Sequence, residues 1–294
     1  MIRILGTIFA GLLGLAFGSF LNVCLSRWPA RESIVTPGSH CRNCDHPLSW
    51  WENLPLLSWL ILRGRCRKCG TAISWRYPLV EGTIAALWAY SAWGSIPVAP
   101  DLGIPTEVVL FVLATGAAQM ILSWILVGLA VLDAENLWLP DKLTLPGIAL
   151  GLGWSTVQTL WMKQEMGGFA PPLFWLRALG ESALAAVVAG GLILVIWSIY
   201  RLVRKREGIG LGDAKLMALL GAWLGLPGAL LAFVLGAVIG AASALVLLAI
   251  PGHSEERWGL RKLPLGTFLC VGGIVSSLWG QQIIAAYLRW SGLQ

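Results

Sequence analysis

The sequence predicts an all-α polytopic membrane protein, with about eight transmembrane helices and a small cytoplasmic zinc-binding loop domain. Three observations carry that expectation. Charged residues make up 12% of the chain, about half the ~25% of a soluble domain, too few to cover a water-facing surface. Apolar runs long enough to cross a bilayer recur along the chain, each near the ~20 residues a helical span needs. Lysine and arginine gather in alternate loops, the bias that orients membrane proteins. Seventeen tryptophans fit the same class, because the indole ring favours the membrane–water interface.

The clearest runs are residues 4–23, 78–98, 108–132, 145–161, 183–203 and 267–288. The run 216–250 is too long for one span, and Pro227-Gly228 is expected to break it into a short helix to about Leu226 and a longer one after it. The first run is too long for the apolar core of a cleaved signal and has no small-residue cleavage site after it, so it is expected to stay attached.

With the N-terminus outside, the inside loops are 24–77, 133–144, 204–215 and 251–264. These loops or their edges hold every lysine and arginine except Arg3, Lys163, Arg177 and Arg289. The expected division is a first helix over 1–23, a loop domain over 24–77 and a seven-helix membrane domain over 78–294. The net charge of +6 reads as attraction to anionic lipid. No basic stretch interleaved with aromatics points to nucleic acid.

Loop 24–77 contains Cys41-Arg-Asn-Cys44 and Cys66-Arg-Lys-Cys69, separated by 21 residues. Two such turns bring four thiolates to one tetrahedral ion, the arrangement of a structural zinc site, and leave no open position for a catalytic water. The loop has too little apolar sequence for a core of its own, so a metal would hold its shape. Disulfides or free thiols are the plainer alternative, and the reducing cytoplasm disfavours the disulfides. His40 and His46 stand beside the first pair as spare ligands, whereas Cys24 and Cys270 read as thiols of the membrane helices.

Ionisable groups beside membrane spans are costly, which makes each a functional candidate. Asp133 ends the run Val127-Gly-Leu-Ala-Val-Leu-Asp133, and Asp213 sits in Gly210-Leu-Gly-Asp-Ala-Lys215. Both fall at the same membrane level. A helix C-terminus disfavours negative charge at Asp133, while a helix N-terminus favours it at Asp213. That division suits two-carboxylate hydrolysis, with Asp133 holding the proton. Taken alone, Asp213 reads more readily as a helix cap after a glycine turn than as a catalytic acid. A proton-coupled transporter or a zinc-bearing scaffold also remains open at this point.

Gly210-Leu-Gly-Asp-Ala-Lys-Leu216 resembles the GxGD signature of membrane aspartyl proteases. Gly18-Ser-Phe-Leu-Asn-Val23, the paired Cys-x-x-Cys, Arg76-Tyr-Pro-Leu-Val-Glu81 and the block Leu132-Asp133 to Leu139-Pro-Asp141-Lys-Leu-Thr-Leu-Pro146 are similar, in order, to the type IV prepilin leader peptidases. The resemblance implies that Asp133 and Asp213 are the catalytic pair and that Cys41, Cys44, Cys66 and Cys69 bind metal. It assigns no catalysis to Asp141, which reads as a cap on the next helix, and Lys215 reads as an interfacial cation in preference to a partner for an aspartate. It further implies prepilin or pseudopilin precursors as substrates, a bacterial inner-membrane location with the site at the cytoplasmic face, and S-adenosylmethionine-dependent N-methylation. No loop is long enough for a dinucleotide-fold methyltransferase, so the residues leave the methyl donor's site unknown.

Overall fold

The computed structural model describes residues 1–96, 105–165, 173–204, 210–249 and 263–292. Residues 205–209 of the expected loop 204–215, residues 251–262 of the loop 251–264, and the end of the second run at Val98 lie outside the described residues. Among the described residues the regular structure is helical: α1 (Ile2–Arg27), α2 (Leu57–Ile61), α3 (Arg76–Ser95), α4 (Thr106–Asn136), α5 (Asp141–Glu165), α6 (Phe174–Arg204), α7 (Leu211–Ala249) and α8 (Leu265–Trp290), with a 3-10 turn at Trp50–Asn53. Five of these, in α1, α4, α6, α7 and α8, are long and apolar enough to cross a membrane. The chain divides into two units, Met1–Gly128 and Leu129–Gln294, with α4 running through the boundary.

In the first unit α1 packs along α3. The approach is close: a Cβ on Gly14 would come within 2.7 Å of Ala85 Cα, and one on Gly18 within 2.7 Å of Glu81 Cα. Small residues four apart let two helix backbones meet in this way. The polar ends of the two helices are tied as well, because buried Asn22 donates from Nδ2 to Tyr77 O at 3.0 Å. The loop between them is anchored at both ends. Buried Arg27 donates to the carbonyls of Ser33 (2.8 Å), Pro37 (2.7 Å) and Gly38 (3.1 Å). Glu81 of α3 accepts the Leu56 N–H at 2.8 Å, which holds Leu56 at φ 58°, a conformation unfavourable for a branched side chain.

In the second unit α7 packs against α5, α6 and α8. It is two helices. Gly225 stands at φ 67°, ψ 176°, a conformation open essentially to glycine alone. The break falls just before the expected Pro227-Gly228, and Pro227 occupies the first turn of the second half, where its missing N–H costs nothing.

The chain reverses there. Over 211–224 it runs antiparallel to α6, with Gly221 against Ala185 and Gly190 against Ala214 and Ala218. Over 226–249 it returns along α8, since Ser276 donates to Gly228 O at 2.8 Å while Gly240 lies against Phe268. Residues 211–224 therefore descend only about 21 Å, at 1.5 Å per residue. The start of α7, its far end and the start of α8 all lie at one end of the unit, where α4 ends and α5 begins.

Candidate active site and metal centre

That shared end holds the two aspartates. Both are buried, Asp133 at 6% and Asp213 at 7% exposure. Leu139 packs between the turns that carry them. A Cβ on Gly212 would meet it at 3.2 Å, and one on Gly266 would meet it at 3.1 Å and the Asp133 carboxyl at 2.9 Å. Only a glycine lets the α8 backbone come so close to Asp133.

The hydrogen bonds of the two acids differ. Asp133 Oδ2 accepts the Thr267 N–H at 2.7 Å, and the Gly266 N–H adds to the set. The Thr267 hydroxyl lies 3.2 Å from the same oxygen and 2.9 Å from Ala130 O, so its one hydrogen is shared. Asp213 sits inside the first turn of α7, where, among the described residues, its Oδ2 accepts the Gly210 N–H at 3.2 Å. This hydrogen bonding favours the opposite division to the one expected from the sequence. Asp133 ends its own helix but faces the N-terminus of α8, whose free N–H groups favour a carboxylate. The ionised state suits Asp133 and the proton suits Asp213.

Asp141 begins α5 and pairs with Lys215 at 2.5 Å. Of the two expectations for Lys215 the less favoured one, pairing with an aspartate, holds here, because α5 and the first half of α7 start side by side.

The four loop cysteines converge, with all their sulfurs within 4.8 Å of one another. Two turns of the same design present them. In each, the first cysteine's N–H bonds the carbonyl five residues on (Cys41 to His46, Cys66 to Thr71), and its carbonyl accepts the N–H four residues on, from Asp45 or Gly70. Asp45 and Gly70 both take positive φ, 53° and 71°, so the fold contains a repeat that the residue types hide.

Cys41 and Cys69 are 3.8 Å apart, sulfur to sulfur, matching the ~3.8 Å edge of a tetrahedron with ~2.3 Å zinc–sulfur bonds. The donor set fits a closed metal site. The thiols are already unequal. Hydrogen bonds from Thr71 and Asn43 draw Cys69 down to about 5. At Cys44 the His46 N–H lowers the value, but desolvation and the thiols of Cys69, Cys41 and Cys66 win and push it up to about 12. His40 and His46 face elsewhere, with His40 Nδ1 2.9 Å from Gly38 O and His46 Nε2 3.5 Å from Glu52 Oε2.

Behind the cysteines lies a cavity of about 430 Å³ within the first unit, lined by Cys41 and Cys66, by Trp59 and Tyr77, and by the acids Glu52 and Glu81. Both acids are buried.

Two family models match the chain, "Bacterial Peptidase A24 N-terminal domain" over residues 12–95 and "Type IV leader peptidase family" over residues 120–245. A "Prepilin leader peptidase/N-methyltransferase" of Stutzerimonas stutzeri is 35% identical over 96% of this chain and 93% of its own length. Proteins of the same name from Aeromonas hydrophila and Pseudomonas aeruginosa are each 34% identical, covering 94% and 96% of this chain and 92% and 93% of their own lengths. This chain belongs to the type IV leader peptidase family. No solved structure matches it.

For a type IV leader peptidase, the residues missed in the sequence reading are those whose role depends on a distant partner. Thr267 and Gly266 show nothing unusual until α8 meets α4. Glu52 and Asn22 carry one signal that was available, a polar side chain in an apolar setting. Gly64, at φ 66°, is explained by the turn that starts the second cysteine pair.

Proposed function

We propose that this type IV leader peptidase cleaves the short basic leader from prepilin or pseudopilin precursors and then N-methylates the new terminus. Asp133 and Asp213 are its catalytic pair. The observation that carries the reading is the meeting of two buried aspartates, 80 positions apart, at one end of the second unit with unequal hydrogen bonding. In the hydrolysis the Asp133 carboxylate takes a proton from water. The water oxygen attacks the scissile carbonyl carbon, and Asp213 gives its proton to the carbonyl oxygen. Collapse of the tetrahedral carbon breaks the C–N bond as Asp133 gives its proton to the amine nitrogen and Asp213 takes one back from a gem-diol hydroxyl.

Zinc held by Cys41, Cys44, Cys66 and Cys69 serves as a structural staple for a loop domain over 24–77. S-adenosylmethionine, when bound, supplies an electrophilic methyl group for the new α-amine. The protein lies in the inner membrane, N-terminus outside, with the aspartates at the cytoplasmic face. Eight membrane helices comprise α1, α3, α4, α5, α6, the two halves of α7, and α8. α3 and α5 are less apolar but, at 20 and 25 residues, long enough to span. The first half of α7 is a shallow partner to the second. Because the chain reverses at Gly225, loops 204–215 and 251–264 share a side whether or not that half crosses fully.

The test incubates purified protein with a pilin-type precursor and compares wild type with Asp133→Asn and Asp213→Asn. Both variants should lose cleavage by about a thousandfold or more while folding normally. Cleavage surviving in either one defeats the reading.

A further inference from the structure

Resting on the reading that α1 and α3 cross the membrane, we propose that the short helix α2 lies in the lipid headgroup layer and anchors the cysteine loop to the bilayer surface. The depth of α2 carries the inference. It begins just after Leu56, whose N–H bonds Glu81 Oε2 at 2.8 Å. The Glu81 backbone in turn lies against Gly18 of α1, where an added Cβ would come within 2.7 Å of Glu81 Cα. Gly18 falls inside the apolar run 4–23, about 7.5 Å from its end at 1.5 Å per residue. Interfacial helices reach that same depth, ~5–10 Å into the boundary between headgroups and acyl chains. The loop therefore dips back from the helix ends before α2 starts.

Its side chains suit such a layer. Leu57, Leu60 and Ile61 share one face of α2, each more than half exposed. Trp50 and Trp75 are exposed as well, and indoles favour the membrane–water interface. Trp75 lies against Trp59 of α2, with ring centroids 4.2 Å apart. Leu79, one turn further along α3, is also exposed, so the apolar surface continues from α2 onto a helix that lipid covers. The backbone is provided for. The N–H groups of Leu56, Ser58, Leu60 and Leu62 are bonded to Glu81 and to the carbonyls of Leu54, Leu56 and Ser58, as a layer poor in water demands. Exposed Arg63 and Arg65 follow α2 directly, where anionic headgroups attract cations. A protein partner would have to reach below the headgroups to cover this face, so lipid is its occupant.

The experiment places the full chain in nanodiscs of phosphatidylglycerol and phosphatidylcholine. A trace phospholipid carries a photoactivatable diazirine near the headgroup end of one acyl chain. Irradiation and peptide mapping should find adducts within residues 50–61 as well as within residues 4–23 of α1. The double variant Leu60→Asp, Ile61→Asp should lower the yield at 50–61 about fivefold or more relative to α1, because aspartate is strongly disfavoured in the apolar layer. If that variant aggregates, the wild-type map decides. Adducts on α1 with none in 50–61, or an equal yield in a folded variant, would overturn the anchor and leave the membrane reading standing. No adducts on α1 either would overturn both.

Discussion

Thr267 reaches Asp133 through its backbone N–H at 2.7 Å and its hydroxyl at 3.2 Å, and the two contacts are separable by mutation. Thr267→Val keeps the N–H and loses the hydroxyl, so cleavage kcat should fall about three- to tenfold, the size of one hydrogen bond. Thr267→Ser should restore it. A KM change with constant kcat would assign the hydroxyl to substrate binding instead. Gly266→Ala is harsher, because the added carbon would lie 2.9 Å from the Asp133 carboxyl. Cleavage should drop by more than an order of magnitude as the carboxyl is displaced, with helix content by circular dichroism unchanged. The aspartates were legible in the sequence because a charge beside an apolar run is rare. Thr267 was not, since a threonine at a helix start is ordinary until the acid it faces is known.

Two elements set the remaining geometry, the reversal in α7 and the paired cysteine turns. Gly225→Ala forces a side chain into a conformation costing about 1–3 kcal/mol, so the thermal midpoint should fall by several degrees. An unchanged midpoint would mean that the turn tolerates a different backbone. The cysteine turns predict a proton-linked metal site. Cys44 is pushed up to about 12 in the metal-free cluster, so at neutral pH its thiol still holds a proton that zinc must displace. Affinity should rise with pH through the neutral range, about tenfold per unit for each proton displaced. A flat profile between pH 6 and 8 contradicts this, as does full zinc retention by Cys66→Ser. The spacing of the cysteines foretold that their sulfurs gather, and Pro227-Gly228 revealed the break. The direction of the chain after the break depends on contacts with α6 and α8, which no local pattern records.

At the scale of the whole molecule the prediction is topological. An export-dependent phosphatase fused after residue 164 should be active, and one fused after residue 254 inactive. The opposite pattern would invert the orientation. Composition and apolar periodicity determined the membrane class, and the charge bias set the expected sidedness, because each is a sum over many residues that needs no contact to be read. The same local information marked Asp133, Asp213 and the four cysteines as unusual. It did not show the hydrogen bonding that favours charge on Asp133. A residue's own helix is visible in sequence, and Asp133 ends one, but the N-terminus of α8 that faces it comes from 134 positions away. Electrostatic environment is summed over neighbours in space, so the state of that carboxyl and the cavity behind the cysteines were decided only when the helices packed.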